Sequence, residues 1–276
     1  MFRTKCRSVR SVLSRKVNVN KLQEGLRARS FGRSIFFSHE VGSTNDWAEE
    51  LAQCGAEQGT VAVAEAQTAG RGRLDREWFS PKGGLWFSIV LRPKLLPAQA
   101  VRLVFVASLA VAETLHEEFG LKVETKWPND VLLNGKKMCG ILLEMSTTEE
   151  KVNFVVMGVG VNANFTENVF PEELRNVASS LENELGHQVR LEDLFGRLLE
   201  RLENAYELYL ERGFTPILER WKEYAGFLGR KVEVADQNQK MSGLALDVDR
   251  DGALAVKLEN GTIRRVLVGD VSLQMR

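Results

Sequence analysis

Cysteine and histidine are scarce in this chain of 276 residues, which contains three of each. Cys6, Cys54 and Cys139 are far apart, and no two of them have the spacing of a metal-binding or redox-active pair. The three histidines are equally scattered. The composition therefore argues against a Cys/His metal centre and against a dithiol redox site.

Long apolar runs and net charge are absent as well. No apolar run reaches the roughly 18–20 residues needed to cross a bilayer, so we expect no membrane span. The 37 basic and 37 acidic residues cancel, so the overall charge does not favour a nucleic-acid partner. The distribution is uneven, however, because residues 1–33 contain ten Lys or Arg and a single acid.

The basic N-terminal tail, residues 1–33, has two interpretations. Residues 1–23 are rich in Arg, Lys and Ser and lack acid, which is the composition of an organellar transit peptide. A disordered or partly helical tail has the same composition and is the simpler interpretation. We expect a cytoplasmic protein, with organellar targeting as the alternative.

After the tail, helix and strand patterns alternate up to about residue 226. Apolar periodicity predicts helices at residues 44–53, 101–119, 191–212 and 215–225, and strands at residues 34–39, 60–66, 85–91 and 151–161. The Asn134-Gly135 pair between two apolar runs predicts a tight hairpin.

From Gly229 onward the pattern changes to short alternating runs separated by Asp251-Gly252 and Asn260-Gly261. This pattern predicts a small antiparallel β-barrel. We therefore predict an α+β protein with a mixed sheet and helices in residues 34–226 and a barrel in residues 227–276.

A glycine- and arginine-rich segment carries the first candidate chemistry. Gly70 and Gly72 alternate with Arg71 and Arg73 directly after a predicted strand, and Trp78 follows. Flexible backbone N–H groups and guanidinium groups suit a carboxylate or phosphate. The spacing matches neither a Walker loop nor G-x-G-x-x-G. Taken alone, the segment could equally be a solvated basic turn.

A second segment follows, at Lys126-Trp-Pro-Asn129-Asp130. The proline predicts a sharp exit from a strand that presents Asn129 and Asp130 at its end. Lys137 then returns on the second hairpin strand. A lysine there either points to solvent, which is the more common case, or is held inward over a ligand, where it would stabilise charge developing on a phosphate.

Two further segments are ambiguous alone. Ser43-Thr44-Asn45 could be a helix cap. The glycines in Gly158-Val-Gly160-Val-Asn162 indicate close approach of a ligand or another chain segment, although tight sheet packing is the simpler interpretation for Gly158.

Together and in this order, these segments resemble the biotin–protein ligase family. The resemblance rests on Ser43-Thr44-Asn45, Gly70-Arg-Gly-Arg73 followed by Trp78-x-Ser80-Pro81, Lys126-Trp-Pro-Asn-Asp130, Lys137-x-x-Gly140-Ile-Leu and Gly158-Val-Gly-Val-Asn162. It extends from about residue 34 to the C-terminus. Members have a mixed sheet with helices on one face, related to class II aminoacyl-tRNA synthetases, and then an SH3-like barrel. The resemblance implies an ATP-dependent ligase that makes biotinyl-5'-AMP and transfers biotin to a lysine.

The resemblance also implies roles for individual residues. Biotin would be bound by Ser43, Thr44, Asn45, Gln67, Arg71, Gly72, Arg73, Lys137 and Gly140. ATP would be bound by Arg76, Trp78, Asn129, Asp130 and Asn162, with the Trp78 indole against the adenine. Arg73 and Lys137 would be catalytic, and Mg²⁺ would accompany ATP without metal ligands that we can name.

The implied partner is a biotin carboxyl carrier protein or domain of a biotin-dependent carboxylase, and members occur as monomers or homodimers. Bifunctional members carry an N-terminal winged-helix domain, for which 33 residues are too few, so we expect no DNA binding. Some members end the last barrel strand with an arginine near the nucleotide. Gln274 stands at that position here, which puts this contact in doubt.

Three alternatives remain open from the sequence. A lipoate–protein ligase shares the fold and the adenylate chemistry, but Lys126-Trp-Pro-Asn-Asp130 and the C-terminal barrel argue against it. A non-catalytic biotin sensor would have lost Arg73 or Lys137, and both are present. A nucleic-acid binder is disfavoured because the body that follows the basic tail is acidic, with 27 basic and 36 acidic residues.

Overall fold

A computed structural model of the chain describes residues 26–148, 150–235, 240–267 and 269–273. The tail up to residue 25 and Gln274 lie outside the described residues, so the predictions for them stay predictions.

The larger of two sheets has seven strands in the order β1-β2-β3-β7-β6-β5-β4. They are β1 Ile35–Val41, β2 Val61–Gln67, β3 Leu85–Leu91, β4 Val123–Lys126, β5 Asp130–Leu133, β6 Lys136–Thr147 and β7 Val152–Val161. Strands β1 and β2 are parallel and the other neighbours are antiparallel. The sheet is mixed, as predicted.

Six α-helices accompany this sheet in the described residues: α1 Thr44–Gln53, α2 Pro97–Ala100, α3 Leu103–Phe119, α4 Leu181–Leu185, α5 Leu191–Arg212 and α6 Thr215–Glu223. Short 3₁₀ turns lie at Arg73–Asp75, Glu167–Val169 and Glu172–Leu174. The bounds of α1 and α5 agree with the sequence prediction, whereas α6 ends two residues earlier than predicted.

Helices cover both faces of the sheet. Successive strand residues point to opposite faces, and in β2 Val61 and Val63 join the core formed with α3, α5 and α6. Ala62 between them packs instead in a separate cluster with Ala48 and Leu51 of α1. The expectation of helices on one face is therefore wrong, because α1 buries its own apolar stripe against the other face.

The hairpin between β5 and β6 has the predicted turn. Asn134 and Gly135 have φ values of 51° and 77°, which is the conformation that a two-residue hairpin turn requires. This turn brings Lys137 back alongside β5.

The expectation that no apolar segment is long enough to cross a membrane is also wrong. The stretch Pro97–Phe119 has sufficient length and hydropathy, yet 72% of its apolar window is buried inside the protein. It is a core segment by burial, and α3 packs against α5 and α6.

The smaller sheet has five antiparallel strands in the order β11-β10-β9-β8-β12: β8 Lys231–Ala235, β9 Lys240–Val248, β10 Leu254–Leu258, β11 Ile263–Val266 and β12 Asp270–Leu273. It packs against the larger unit, where the Trp127 Nε1 donates to the Gly252 carbonyl at 2.9 Å. The start of β12 lies beside the glycine–arginine segment, where Arg73 Nη1 is 3.1 Å from the Gly269 carbonyl.

Candidate active site

The first turn of α1 forms one side of the site. Thr44 and Asn45 are both 4% exposed. The backbone N and the hydroxyl of Thr44 donate to Gln67 Oε1 at 2.8 and 3.0 Å. The Ser88 hydroxyl lies 2.6 Å from Asn45 Oδ1 and 2.8 Å from the Thr44 hydroxyl. These neutral polar groups form a buried patch suited to a neutral polar ligand.

Ser43 occupies the N-cap position of α1, as the helix-cap interpretation predicts. It is 5% exposed, but its side chain makes no capping hydrogen bond. The hydroxyl is therefore not used to cap the helix, which leaves the predicted ligand role open.

The glycine–arginine segment is a small hairpin. Trp78 N donates to the Gly70 carbonyl at 2.9 Å, and Gly72 N donates to the Arg76 carbonyl at 2.7 Å. A Cβ at Gly70 would lie 2.5 Å from the Trp78 carbonyl oxygen. Glycine is required there because the two arms of the hairpin approach so closely. We call residues 67–80 the ligand loop.

Arg71, at the start of the loop, is held by two carboxylates. Its Nη1 lies 2.6 Å from Asp46 Oδ1, and its Nη2 lies 2.8 Å from Glu144 Oε1. The hydrogen bonds from Asp46 and Glu144 raise the pKa of Arg71. In this structure the positive charge of Arg71 is balanced by the two carboxylates, and the side chain ties the loop to α1 and β6.

Arg73 lies in a different environment. Its Nη1 contacts Asn129 Oδ1 at 3.1 Å, the Gly269 carbonyl at 3.1 Å and Asp270 Oδ1 at 3.3 Å. Burial lowers the pKa of Arg73, because desolvation disfavours the charged form. A partly desolvated guanidinium of this kind is well placed to receive an anion.

Lys137 points into the site. Its Nζ lies 2.7 Å from Asp130 Oδ1 and 4.9 Å from the centre of the Trp78 ring. Lys126 Nζ is 3.6 Å from the other Asp130 oxygen. The inward interpretation of Lys137 is therefore the one that the structure supports. Asp130 holds two ammonium groups beside Arg73.

Trp78 packs over β6 and β7, where both strands carry glycine. A Cβ at Gly160 would lie 2.5 Å from Trp78 Nε1, and one at Gly140 would lie 3.0 Å from its ring. The indole N–H is buried without a partner among the described residues. Gly158 gives similar room to Asn45, since a Cβ there would lie 2.1 Å from Asn45 Oδ1.

The side-chain amides of Asn129 and Asn162 donate hydrogen bonds to backbone carbonyls. Asn129 Nδ2 donates to the Ile141 carbonyl at 2.9 Å. Asn162 Nδ2 donates to the carbonyls of Lys137 at 3.2 Å and Ser179 at 3.0 Å. These bonds fix the strand end that carries Lys137. The predicted ATP contact of Asn162 stays a prediction.

The predicted residues form two adjoining groups. A neutral group contains Ser43, Thr44, Asn45 and Gln67, and a charged group contains Arg73, Lys137, Asn129 and Asp130 beside Trp78. Arg76 lies at the rim with its side chain 63% exposed, and its Nη2 is 2.5 Å from Asp270 Oδ2.

Sequence reasoning missed Ser88, Glu144, Lys126 and Asp270 as site residues. Ser88 had a detectable signal, because it is the only polar residue in the buried strand Leu85–Leu91. Glu144 and Asp270 had none, since their partners are distant in the chain.

No metal centre is built into the part of the chain that the structure describes, where no three His, Cys, Asp or Glu side chains could hold an ion together. A cavity of about 640 Å³ lies between the end of α3 and the start of α5 and is lined by none of the predicted site residues.

Comparison with known proteins agrees with this arrangement. Residues 39–162 match the family model described as "Biotin/lipoate A/B protein ligase family", and residues 227–274 match "Biotin protein ligase C terminal domain". The bifunctional ligase/repressor BirA of Bacillus subtilis (strain 168) is 36% identical over 259 residues, which cover 94% of this chain and 79% of that protein.

A shorter relative has the same identity over a smaller part of the chain. A biotin--[acetyl-CoA-carboxylase] ligase of Paracoccus denitrificans is 36% identical over 221 residues, covering 78% of this chain and 90% of that protein. The solved biotin protein ligase from Aquifex aeolicus in complex with biotin and ATP superposes with a TM-score of 0.75 at 30% identity, covering 88% of this chain and 100% of that one.

Proposed function

The chain belongs to the biotin protein ligase family, and from this membership we infer that it activates biotin with ATP and attaches it to a lysine of an acceptor protein. It is an ATP-dependent ligase that forms an amide bond. The observation that carries this conclusion is the convergence of Arg73 and Lys137 beside a buried neutral pocket.

The two groups of the site fit the two parts of the first reaction. The neutral pocket around Thr44, Asn45 and Gln67 offers donors and acceptors to a ureido ring. We propose that the biotin carboxylate lies toward Lys137. Its oxygen attacks the α-phosphorus of ATP, biotinyl-5'-AMP forms and pyrophosphate leaves.

Arg73 and Lys137 counter the main obstacle to that step. A carboxylate and a triphosphate repel each other, and the five-coordinate transition state gathers further negative charge. Preorganised cations at that point stabilise it. We propose that the phosphate replaces Asp270 and Asp130 as the partner of Arg73 and Lys137. In the second step, the same two cations would stabilise the negative charge of AMP as the leaving group.

In the second step the acceptor amine attacks the acyl carbon of the adenylate, AMP departs and the amine loses a proton. An enclosed site limits hydrolysis of the adenylate by water. The Trp78 ring and the ligand loop border the charged group. We propose that they shield the intermediate.

Magnesium does not fit a resident site here. Asp130 is engaged by two lysines, and the described residues contain no metal cluster. We propose that Mg²⁺ enters as Mg·ATP, with phosphate oxygens and water as its main ligands.

The acceptor is proposed to be a biotin carboxyl carrier domain that docks on an open edge of the large sheet. Strand β5 pairs with β6 only as far as Gly140. Residues 142–147 of β6 pair, among the described residues, with β7 alone. An extended segment of the acceptor could add to this edge beside the ligand loop. The oligomeric state, a monomer or a homodimer, stays a prediction that sedimentation would check.

The test is transfer of label to a purified carrier domain with ATP·Mg²⁺, using biotin and lipoate in parallel. We expect labelling with biotin alone. Labelling with lipoate alone would assign the chain to the lipoate branch of the family. Binding of biotin without labelling would favour a sensor.

A further inference from the structure

Glu144 on β6 joins two parts of the site that are far apart in sequence. Its Oε1 accepts from Arg71 Nη2 at 2.8 Å, and its Oε2 accepts from Asn45 Nδ2 at 2.6 Å. The carboxylate therefore connects the start of the ligand loop with the first turn of α1.

The other end of the ligand loop reaches the same helix turn by a separate route. Gln67 Nε2 donates to the Ser80 hydroxyl at 2.8 Å, and Gln67 Oε1 accepts from Thr44. Both ends of the loop are thus tied to neighbouring residues of α1, one end through Glu144 and the other through Gln67.

The contact with Glu144 also fixes how Asn45 presents its amide. An ionised carboxylate only accepts hydrogen bonds, so the NH₂ group of Asn45 must face Glu144. The Asn45 oxygen then faces the Ser88 hydroxyl at 2.6 Å. The other acceptor near Asn45 Nδ2 is the Leu142 carbonyl at 3.5 Å, a much longer contact than the one with Glu144. Without the carboxylate, the amide could therefore turn over and exchange donor for acceptor in the pocket.

We propose that Glu144 is a positioning residue for biotin, which sets the Asn45 amide and the Arg71 end of the ligand loop in their binding orientation before the ligand arrives. The inference rests on the proposed function. It concerns the biotin half of the site, because the described contacts of Glu144 do not include Arg73, Lys137 or Asp130.

Asp46 provides a matched control. It pairs with the same guanidinium at 2.6 Å and is likewise acidic, but its side chain is 53% exposed and its carboxylate makes no described hydrogen bond with the Asn45 amide. An exposed ion pair contributes little. If only the charge of Arg71 mattered, the two carboxylates would be equivalent.

The experiment measures the dissociation constant of biotin by calorimetry and the steady-state constants for adenylate formation in the full chain. For Glu144→Ala we expect the biotin Kd and KM to rise about tenfold, as loss of hydrogen bonds with a charged partner predicts. We expect kcat at saturating biotin and the KM for ATP to stay within about twofold. Asp46→Ala should change the biotin Kd by less than about twofold.

Two further variants separate positioning from a merely structural role. Glu144→Gln keeps the volume but can accept from only one of the two partners, so its biotin Kd should lie between those of wild type and Glu144→Ala. Combining Glu144→Ala with Arg71→Ala should give less than the product of the single effects, because the two residues act as a unit.

An unchanged biotin Kd in Glu144→Gln and Glu144→Ala would overturn the inference, as would independent effects of Glu144 and Arg71. A fall in kcat with unchanged biotin KM would also overturn it. If the alanine variant does not fold, Glu144→Gln decides alone. Failure of the wild-type chain to form adenylate would instead contradict the proposed function, so the two failures are distinguishable.

Discussion

Arg71 and Arg73 are two residues apart, yet their surroundings oppose each other. Arg71 faces Asp46 and Glu144, which raise its pKa, whereas burial lowers the pKa of Arg73. A guanidinium with two carboxylate partners ties chain segments together. A desolvated one with shared partners gains more from an arriving phosphate.

Replacing Arg73 or Lys137 tests this assignment. Arg73→Ala and Lys137→Ala should each lower the rate of biotinyl-adenylate formation at least about 100-fold, because each removes a preorganised cation from the transition state. The measurement is release of pyrophosphate under saturating biotin and ATP. Lys240→Ala, which removes an exposed lysine of the small sheet, is the control. Near-normal rates in both site variants would disprove the assignment.

Gly160→Ala tests the packing of Trp78. The added methyl would lie 2.5 Å from Trp78 Nε1, so the indole must move away from β7. We expect a several-fold higher KM for ATP, and a changed tryptophan emission, if the indole contacts adenine. Gly42→Ala is the matched control, since no atom lies within 4 Å of a Cβ there. An unchanged KM despite a displaced indole would remove Trp78 from the ATP site.

At the scale of elements, α5 anchors the chain that leads into β1. Glu203 of α5 accepts hydrogen bonds from the backbone N of Arg29, Ser30 and Phe31. Burial alone would raise the pKa of Glu203, but the hydrogen bonds from the Ser30 side chain and from these backbone groups outweigh it and lower the pKa.

This anchor predicts a pH dependence. A lowered carboxyl pKa contributes stability that is present above the unfolded value of about 4.3 and is lost as the pH falls through the folded value. Hydrogen exchange at residues 29–31 should therefore accelerate, relative to the core strands, in acid. Glu203→Gln should show the same acceleration at pH 7. Equal protection in wild type and variant at pH 7 would contradict the anchor.

Local patterns predicted much of the element content. Helix α1 has its cap signal in the residues directly before it, and the hairpin has its turn signal in Asn134-Gly135 itself. Both signals are local in the sequence. Strands β4 and β12 have four residues each, which is too short for an alternation of apolar and polar residues to be recognised. The placement of α1 on the face of the sheet opposite to α3 and α5 also lacked a local signal. The positions of Ala48 and Leu51 in the sequence show that α1 buries an apolar stripe, but not which face of the sheet covers it.

The site divided in the same way. Its residue types were recognisable from the order of the five motifs, whereas the contacts of Glu144 with Asn45 and of Asp270 with Arg73 join residues 99 and 197 positions apart. Such pairings depend on sheet order and on the packing of two units. No pattern within one segment encodes them.

At the scale of the whole molecule, the small sheet completes the charged side of the site. Gly269 and Asp270 contact Arg73, and Asp270 also contacts Arg76. The position of these groups depends on the packing between the two units, to which Trp127 contributes.

Trp127→Phe tests that packing. The change removes the donor to the Gly252 carbonyl, which leaves a buried acceptor unpaired at a cost of about 1–3 kcal/mol. We expect a lower free energy of unfolding by urea and a higher KM for ATP, with biotin binding unchanged. Unaltered stability and KM would show that this bond does not hold the small sheet against the site.

Activation of biotin by this protein is tested first by ATP–pyrophosphate exchange with the purified full chain and without any acceptor protein. We expect exchange that requires biotin, because only the biotin carboxylate supplies the nucleophile for the α-phosphorus. The Lys137→Ala variant should show no biotin-dependent exchange. Exchange that proceeds without biotin would show that biotin is not the group activated. Absence of exchange in a preparation that binds both biotin and ATP would show that the site does not form the adenylate.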